Sequence, residues 1–266
     1  MTGWRLYADA GNTALKWAAR AGGCWVAEGR MEIAAPAAAW REVGAVLEMA
    51  GLDADDCEGV ALVCSRPSEA EAAEDALTAA TGAPVRLMGR DLHSRLRVAY
   101  EDPTELGQDR LAAAEGAAML VGAPAIVLVL GTCITAQALD AELTLIGGAI
   151  APGLEAQAAG VIAEVPHLRE PLLEALALLR AGEMPPEIGR TTVGNLALGL
   201  AASLHGTVQA LIEPMRSAVG DALVIASGGD AELAAALQRW WPGGCGVHFG
   251  RVEPLLVLEG LRSLDG

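Results

Sequence analysis

Twice along this chain, three strand-like segments follow one another across turns too tight to contain a helix. Residues 3–9 alternate apolar and polar, Gly11-Asn12 turns the chain into 13–20, and Gly22-Gly23 turns it again into 24–31. Segments joined in this way pair as an antiparallel meander. The order returns later: a strand over 125–130, the turn Gly131-Thr132, a strand over 133–139, and a third strand starting at 143–146. Helices and strands alternate after each meander. The first half offers a helix over 35–49, an apolar strand over 59–64, a helix opened by the capping box Ser68-x-x-Glu71 and ending near Gly82, and short strands over 85–88 and 96–99. The second offers helices after Gly153, a long one over 192–215, a strand over 223–227, a helix over 230–240, a short strand over 246–249 and a closing helix over 253–264. A meander followed by alternating elements, given twice, predicts an α/β fold made by duplication of one unit. The boundary is expected in or after the helix following Asp109, giving domains 1–115 and 116–266, with the last helix packing back on the first.

Composition narrows the class. A chain of 266 residues can bury an ample core. The sequence pattern predicts no apolar run of membrane length and no secretory signal before the first strand, so a soluble, cytoplasmic protein without a membrane is expected. Five scattered cysteines without Cys-x-x-Cys spacing predict free thiols and no zinc site. A formal net charge of −16 argues against nucleic acid as a partner. Of the 18 basic residues, all but Lys16 are arginine. A lone lysine in such a chain suggests a compact point charge where a planar guanidinium fits poorly.

Three turns carry chemistry. In Asp9-Ala10-Gly11-Asn12-Thr13-Ala14-Leu15-Lys16, Gly11 and Asn12 tolerate positive φ, so successive N–H groups can form an anion-binding nest. Thr13 can donate to a phosphate oxygen and Asp9 can hold a hydrated Mg²⁺ ion. The turn Leu130-Gly131-Thr132-Cys133 repeats this arrangement; Cys133 is expected as a small packed residue and the Trp240-Trp241 pair as core or interface. In Tyr100–Arg110, Pro103 and Gly107 shape a loop that ends with Asp109 and Arg110 at a helix mouth, where unpaired N–H groups and the macrodipole favour an anion. Gly107 is read there as a residue needing a conformation others avoid.

Taken in order, Asp9-x-Gly11-Asn12-Thr13, Tyr100-x-x-Pro103-x-x-x-Gly107-x-Asp109-Arg110, Gly131-Thr132-x-x-Thr135, Gly147-Gly148-x-Ile150-x-Pro152-Gly153, Gly189-x-x-Thr192 and Ser227-Gly228-Gly229 resemble the type III pantothenate kinases. The resemblance implies two ribonuclease H-like (actin-like ATPase) domains with a cleft between them. It also implies ATP-dependent phosphorylation of pantothenate, the first step of coenzyme A synthesis. By motif matching, Asp109 would be the general base. Tyr100, Gly107, Gln108, Arg110 and Thr192 would bind pantothenate, Thr192 reaching it across a homodimer interface with shared active sites. Asp9, Gly11, Asn12, Thr13, Lys16, Gly131, Thr132, Gly228 and Gly229 would hold ATP and its Mg²⁺, and a monovalent cation, K⁺ or NH₄⁺, is implied as well. The chain departs from the family pattern at Val129 and Gln137, where carboxylates are usual. From the residues themselves, a kinase of another small alcohol and a non-catalytic binding relative stay open as alternatives.

Overall fold

The computed structural model describes residues 3–32, 43–241 and 247–265. They fall into two compact units, one drawn from the described residues within 1–120 and 255–266, the other from those within 121–254.

In the first unit, β1 (Trp4–Ala10), β2 (Ala14–Ala21) and β3 (Cys24–Glu32) make the antiparallel meander. Parallel β4 (Cys57–Cys64) and β5 (Val85–Leu87) continue the sheet from β1, giving the order β3-β2-β1-β4-β5. Strand alternation sends Leu6, Ala8, Leu15, Trp17 and Ala19 to one face, where Val43 and Leu47 of α1 (Val43–Met49) and Ala73 and Leu77 of α2 (Ala70–Thr81) complete a core. The expected helix over 35–49 is described only from Val43; its earlier residues lie outside the described ones. The expected capping box at Ser68 does not form. A 3₁₀ turn over Pro67–Glu69 intervenes, and α2 starts without a side-chain cap. Proline at the first position of that turn favours this tight entry. At its other end Gly82, at φ +65°, closes α2 as expected.

The other face of this sheet carries Tyr7 and Asp9. Here α8 (Leu256–Asp265) docks: the Tyr7 hydroxyl meets Asp265 Oδ2 at 3.3 Å, and Trp25 Nε1 donates to Glu259 Oε1 at 2.8 Å. A further helix, α3 (Gln108–Val121), crosses α8 at two glycines. A Cβ on Gly116 would lie 3.1 Å from the Gly260 nitrogen and would collide with the Leu256 carbonyl; one on Gly260 would collide with the Ala112 carbonyl. Leu111–Ala117 of α3 are all buried, and their mostly small side chains suit this close approach. Glu115, 2% exposed, ties the preceding loop to α3 by accepting from Ser94 Oγ at 2.6 Å and from the Leu96 N–H at 3.2 Å. Beyond that loop, β6 (Arg97–Val98) is two residues long, shorter than expected.

In the second unit, β7 (Ala125–Leu130), β8 (Cys133–Leu139) and β9 (Thr144–Pro152) repeat the meander, and parallel β10 (Leu223–Ser227) and β11 (Arg251–Val252) follow. The succession β9-β8-β7-β10-β11 mirrors that of the first unit. Two differences from expectation stand out. The third strand, of which only the start was expected, runs on through Gly147-Gly148; Gly147 takes φ +150° beside a register shift, so the strand passes through a bulge. The last strand falls at Arg251–Val252, beside Ile225–Ala226, whereas 247–249 form no strand and residue 246 lies outside the described residues.

Among the described residues four α-helices pack here: α4 (Leu154–Glu164), α5 (Arg169–Arg180), α6 (Thr192–Val219) and α7 (Ala231–Trp240). The longest, α6, runs through Pro214 past the expected end at 215, until Gly220 closes it. Its length and composition suffice for a membrane span, contrary to the expectation drawn from the sequence. One side is nevertheless built into the core, through Ala197, Leu200, Leu204, Val208 and Ile212. Its opposite side exposes Gly199, Gly206 and Ala210, so only one side of the helix is covered within the described residues.

Candidate active site

The first unit places Asp9 at the C-terminal end of β1, where the strand leaves the sheet. Cross-strand register sets Asp9 opposite Lys16 on β2, and Lys16 opposite Arg30 on β3. Directly opposed residues share a face, so an acid and two bases form one row across three strands. Asp9 is 7% exposed, and its Oδ1 has no hydrogen-bond partner among the described residues. Burial pushes its carboxyl up to about 6; Lys16 opposes the shift, Asp109 adds to it, and Arg30 opposes it. The helix mouth of α3 therefore brings Asp109 within electrostatic reach of Asp9, although a hundred residues separate them.

The turn after Asp9 is built differently from the expected nest. Gly11 donates its N–H to the Ala14 carbonyl at 3.0 Å, and among the described residues neither Gly11 nor Asn12 has positive φ. Gly11 instead provides room, since a Cβ there would stand 3.2 Å from the Ala14 oxygen. Asn12 and Thr13 are exposed beyond it. Gly107 is corrected in the same way: its φ is not left-handed, and a Cβ would lie 2.6 Å from Asp109 Oδ1. Glycine there leaves the Asp109 carboxylate in place, and any larger residue would make it shift. Gln108 packs over Gly89, Arg110 donates to the Glu105 carbonyl at 2.8 Å, and Tyr100, Gln108, Asp109 and Arg110 are all half-buried. Asp102 holds the loop from below by accepting from the Thr104 N–H at 2.9 Å.

The second unit assembles its own turn. Gly131 donates to the Cys133 carbonyl at 3.1 Å, and Thr132 accepts from the Gly153 N–H at 2.9 Å. Gly228, at φ +98°, presses on the Leu130 backbone so closely that a Cβ would lie 2.6 Å from its carbonyl carbon. Here positive φ and close approach both demand glycine. Gly131, Thr132, Gly228 and Gly229 are thereby brought together, with Gly229 exposed. Thr192 is exposed at the start of α6, behind Thr191, which caps the helix by accepting from the Gly194 N–H at 3.0 Å. Cys133 is exposed rather than packed, because the turn points it away from the core. Trp240 and Trp241 pack on the core, Trp241 stacking on His205 at 4.6 Å.

Sequence reasoning overlooked Arg30, Arg180, Asp230 and the Gly116–Gly260 crossing. Counting strand register from Asp9 through Lys16 would have reached Arg30. The others depend on packing between distant segments.

Two units with the same strand succession, each opening on a meander with a glycine-bearing turn, define the two-domain actin-like ATPase fold. A solved structure of the same fold is the activator of the 2-hydroxyisocaproyl-CoA dehydratase from Clostridium difficile with bound ADPNP, at TM-score 0.58 and 13% identity, covering 98% of this chain and 94% of that one. The family model for type III pantothenate kinase matches residues 5–214. Type III pantothenate kinases of Moorella thermoacetica (31% identical, covering 80% of this chain and 78% of that protein) and Thiobacillus denitrificans (32%, covering 99% and 97%) are similar over most of its length. The chain belongs to the type III pantothenate kinase family.

Proposed function

We propose that the chain transfers the γ-phosphoryl group of ATP to the 4′-hydroxyl of pantothenate, with Asp109 as the base. The observation that carries this reading is the buried, partnerless Asp9 Oδ1 beside Lys16, with Asp109 in reach at a helix mouth. Phosphoryl transfer needs positioning and charge neutralisation, with one carboxylate to take the hydroxyl proton. In this assignment Asp109 takes that proton as the oxygen bonds to phosphorus and ADP departs. The Lys16 ammonium offsets charge on the phosphates. Arg110 keeps donors beyond its bond to Glu105 for the pantothenate carboxylate, with Tyr100, Gly107 and Gln108 around it. Gly11, Asn12 and Thr13 of the first unit, and Gly131, Thr132, Gly228 and Gly229 of the second, are assigned to the nucleotide.

An orphaned carboxylate oxygen suits a divalent cation, and Asp9 would hold Mg²⁺. Bound there with ATP, the ion would neutralise phosphate charge. The second turn does not fit a monovalent cation in the same way. The Val129 side chain offers no ligand, and Gln137, 1% exposed with both amide atoms lacking partners among the described residues, offers one neutral side-chain oxygen. No step is assigned to such an ion. The four described cysteines are free thiols, which supports a cytoplasmic setting.

A coupled assay of ADP release tests the assignment: pantothenate should stimulate ATP turnover and a panel of sugars should not. Turnover with a sugar alone would transfer the reading to another alcohol kinase, and none with any acceptor would point to a non-catalytic relative.

We also assign the working form to a homodimer with shared sites. Support comes from α6, whose exposed side is lined by Gly199, Gly206 and Ala210 and begins at exposed Thr192. Small residues on such a side allow a second copy of the helix to approach closely, giving a two-fold interface. Mixing inactive Asp109→Asn chains with inactive Thr192→Arg chains should restore activity through heterodimers holding one intact site. Exchange of subunits with no recovery would remove the shared-site assignment.

A further inference from the structure

We propose that Arg180 is a positioning residue for the nucleotide turn of the second unit, holding Gly131–Thr132 between the two segments that grip it. The inference rests on the assignment of that turn to the nucleotide.

Asp230 sits at the N-cap of α7, where an aspartate ordinarily accepts from the first free N–H groups. It makes no such cap. Its side chain, 3% exposed, is given to Arg180 instead: Nε meets Oδ1 at 2.8 Å and Nη2 meets Oδ2 at 3.2 Å, a two-pronged fork. The remaining arm, Nη1, reaches Glu155 Oε1 at 2.7 Å. Each carboxylate belongs to one grip on the turn. The Asp230 N–H donates to the Leu130 carbonyl at 3.1 Å, just before Gly131, and its neighbour Gly228 presses on the same backbone. Glu155 follows Gly153, whose N–H donates to the Thr132 carbonyl at 2.9 Å, and whose Cβ, were there one, would lie 2.8 Å from that oxygen.

One guanidinium thus joins the Gly228–Asp230 loop to the start of α4, with the turn between them. Arg180 ends α5, a helix anchored by buried Leu172, Ala175, Leu176 and Leu179, so the fork hangs from a fixed element. A cation at a helix C-terminus is also favoured by the macrodipole. A lysine could meet either carboxylate but could not reproduce the fork and the third bond together.

The test uses the full chain, with steady-state kinetics and calorimetric binding of ADP. Arg180→Met should raise the KM for ATP and the Kd for ADP by roughly tenfold, with kcat and the KM for pantothenate unchanged. Arg180→Lys should recover part of that loss. Because Arg180→Met strands a buried carboxylate, Arg180→Met/Asp230→Asn gives a second reading: with the charge removed and the tie still absent, nucleotide affinity should stay low. Unchanged nucleotide affinity in the folded single variant, equal losses for both substrates, or a double variant restored to wild-type affinity would overturn the proposal. ADP binding needs no acceptor, so a wild-type protein inactive on pantothenate would defeat the functional reading alone and leave this one measurable.

Discussion

Asp109→Asn should lower turnover by about 10²-fold or more while the protein folds and binds both substrates. An amide keeps the size of the carboxylate but cannot take the hydroxyl proton. The space for it is set by Gly107, where a Cβ would lie 2.6 Å from Asp109 Oδ1, so the asparagine should occupy the same position. The loss should therefore appear in kcat, with the KM for ATP and pantothenate little changed. Near-normal turnover would remove Asp109 from the role of base. A rise in KM for pantothenate with kcat unchanged would make it a binding residue only.

Replacing Asp9 by asparagine should have opposite effects on activity and stability. Activity should fall by at least 10²-fold, because the carboxylate assigned to Mg²⁺ is lost. Stability of the metal-free protein should rise. The Asp9 carboxyl moves from 3.8 to about 6 on folding, chiefly through burial. Between those values the folded protein keeps a proton that the unfolded chain has released, so stability falls as pH rises through that window and the penalty is complete above about pH 6. At pH 7 the wild type thus carries a cost on the order of 3 kcal/mol that the asparagine relieves, less whatever an unpaired buried amide costs. Urea unfolding without divalent ions should show the variant's advantage growing from pH 4 to pH 6 and level above it. A variant less stable than wild type at pH 7 would mean that the buried charge is well compensated and not held in readiness for a cation.

Much of the architecture was legible before any coordinates. Turn glycines and strand alternation are local signals, so the two meanders, the strand at 59–64, the Gly82 helix end and the long helix at 192 could be read from neighbours in the chain. The ordered motifs likewise pointed to the family that the comparisons support. Local signals misled where a backbone contact had the final word. Gly11 and Gly107 look like turn glycines chosen for conformation, yet the structure uses both for space.

What the sequence by itself determined is therefore the list of chemical groups, the repeated order of strands and the family. Tertiary structure alone decided which groups meet. Asp9 gains its raised carboxyl only when β1 is buried and α3 delivers Asp109 to it. Nothing near Gly260 in the chain announces that its missing side chain admits the Ala112 carbonyl, and thereby lets α3 and α8 cross. Arg180 and Asp230 stand fifty residues apart, and their fork exists only because α5 and α7 pack into one core. Desolvation, close backbone approach and long-range ion pairing are properties of the folded chain, and a local pattern of residues does not encode them.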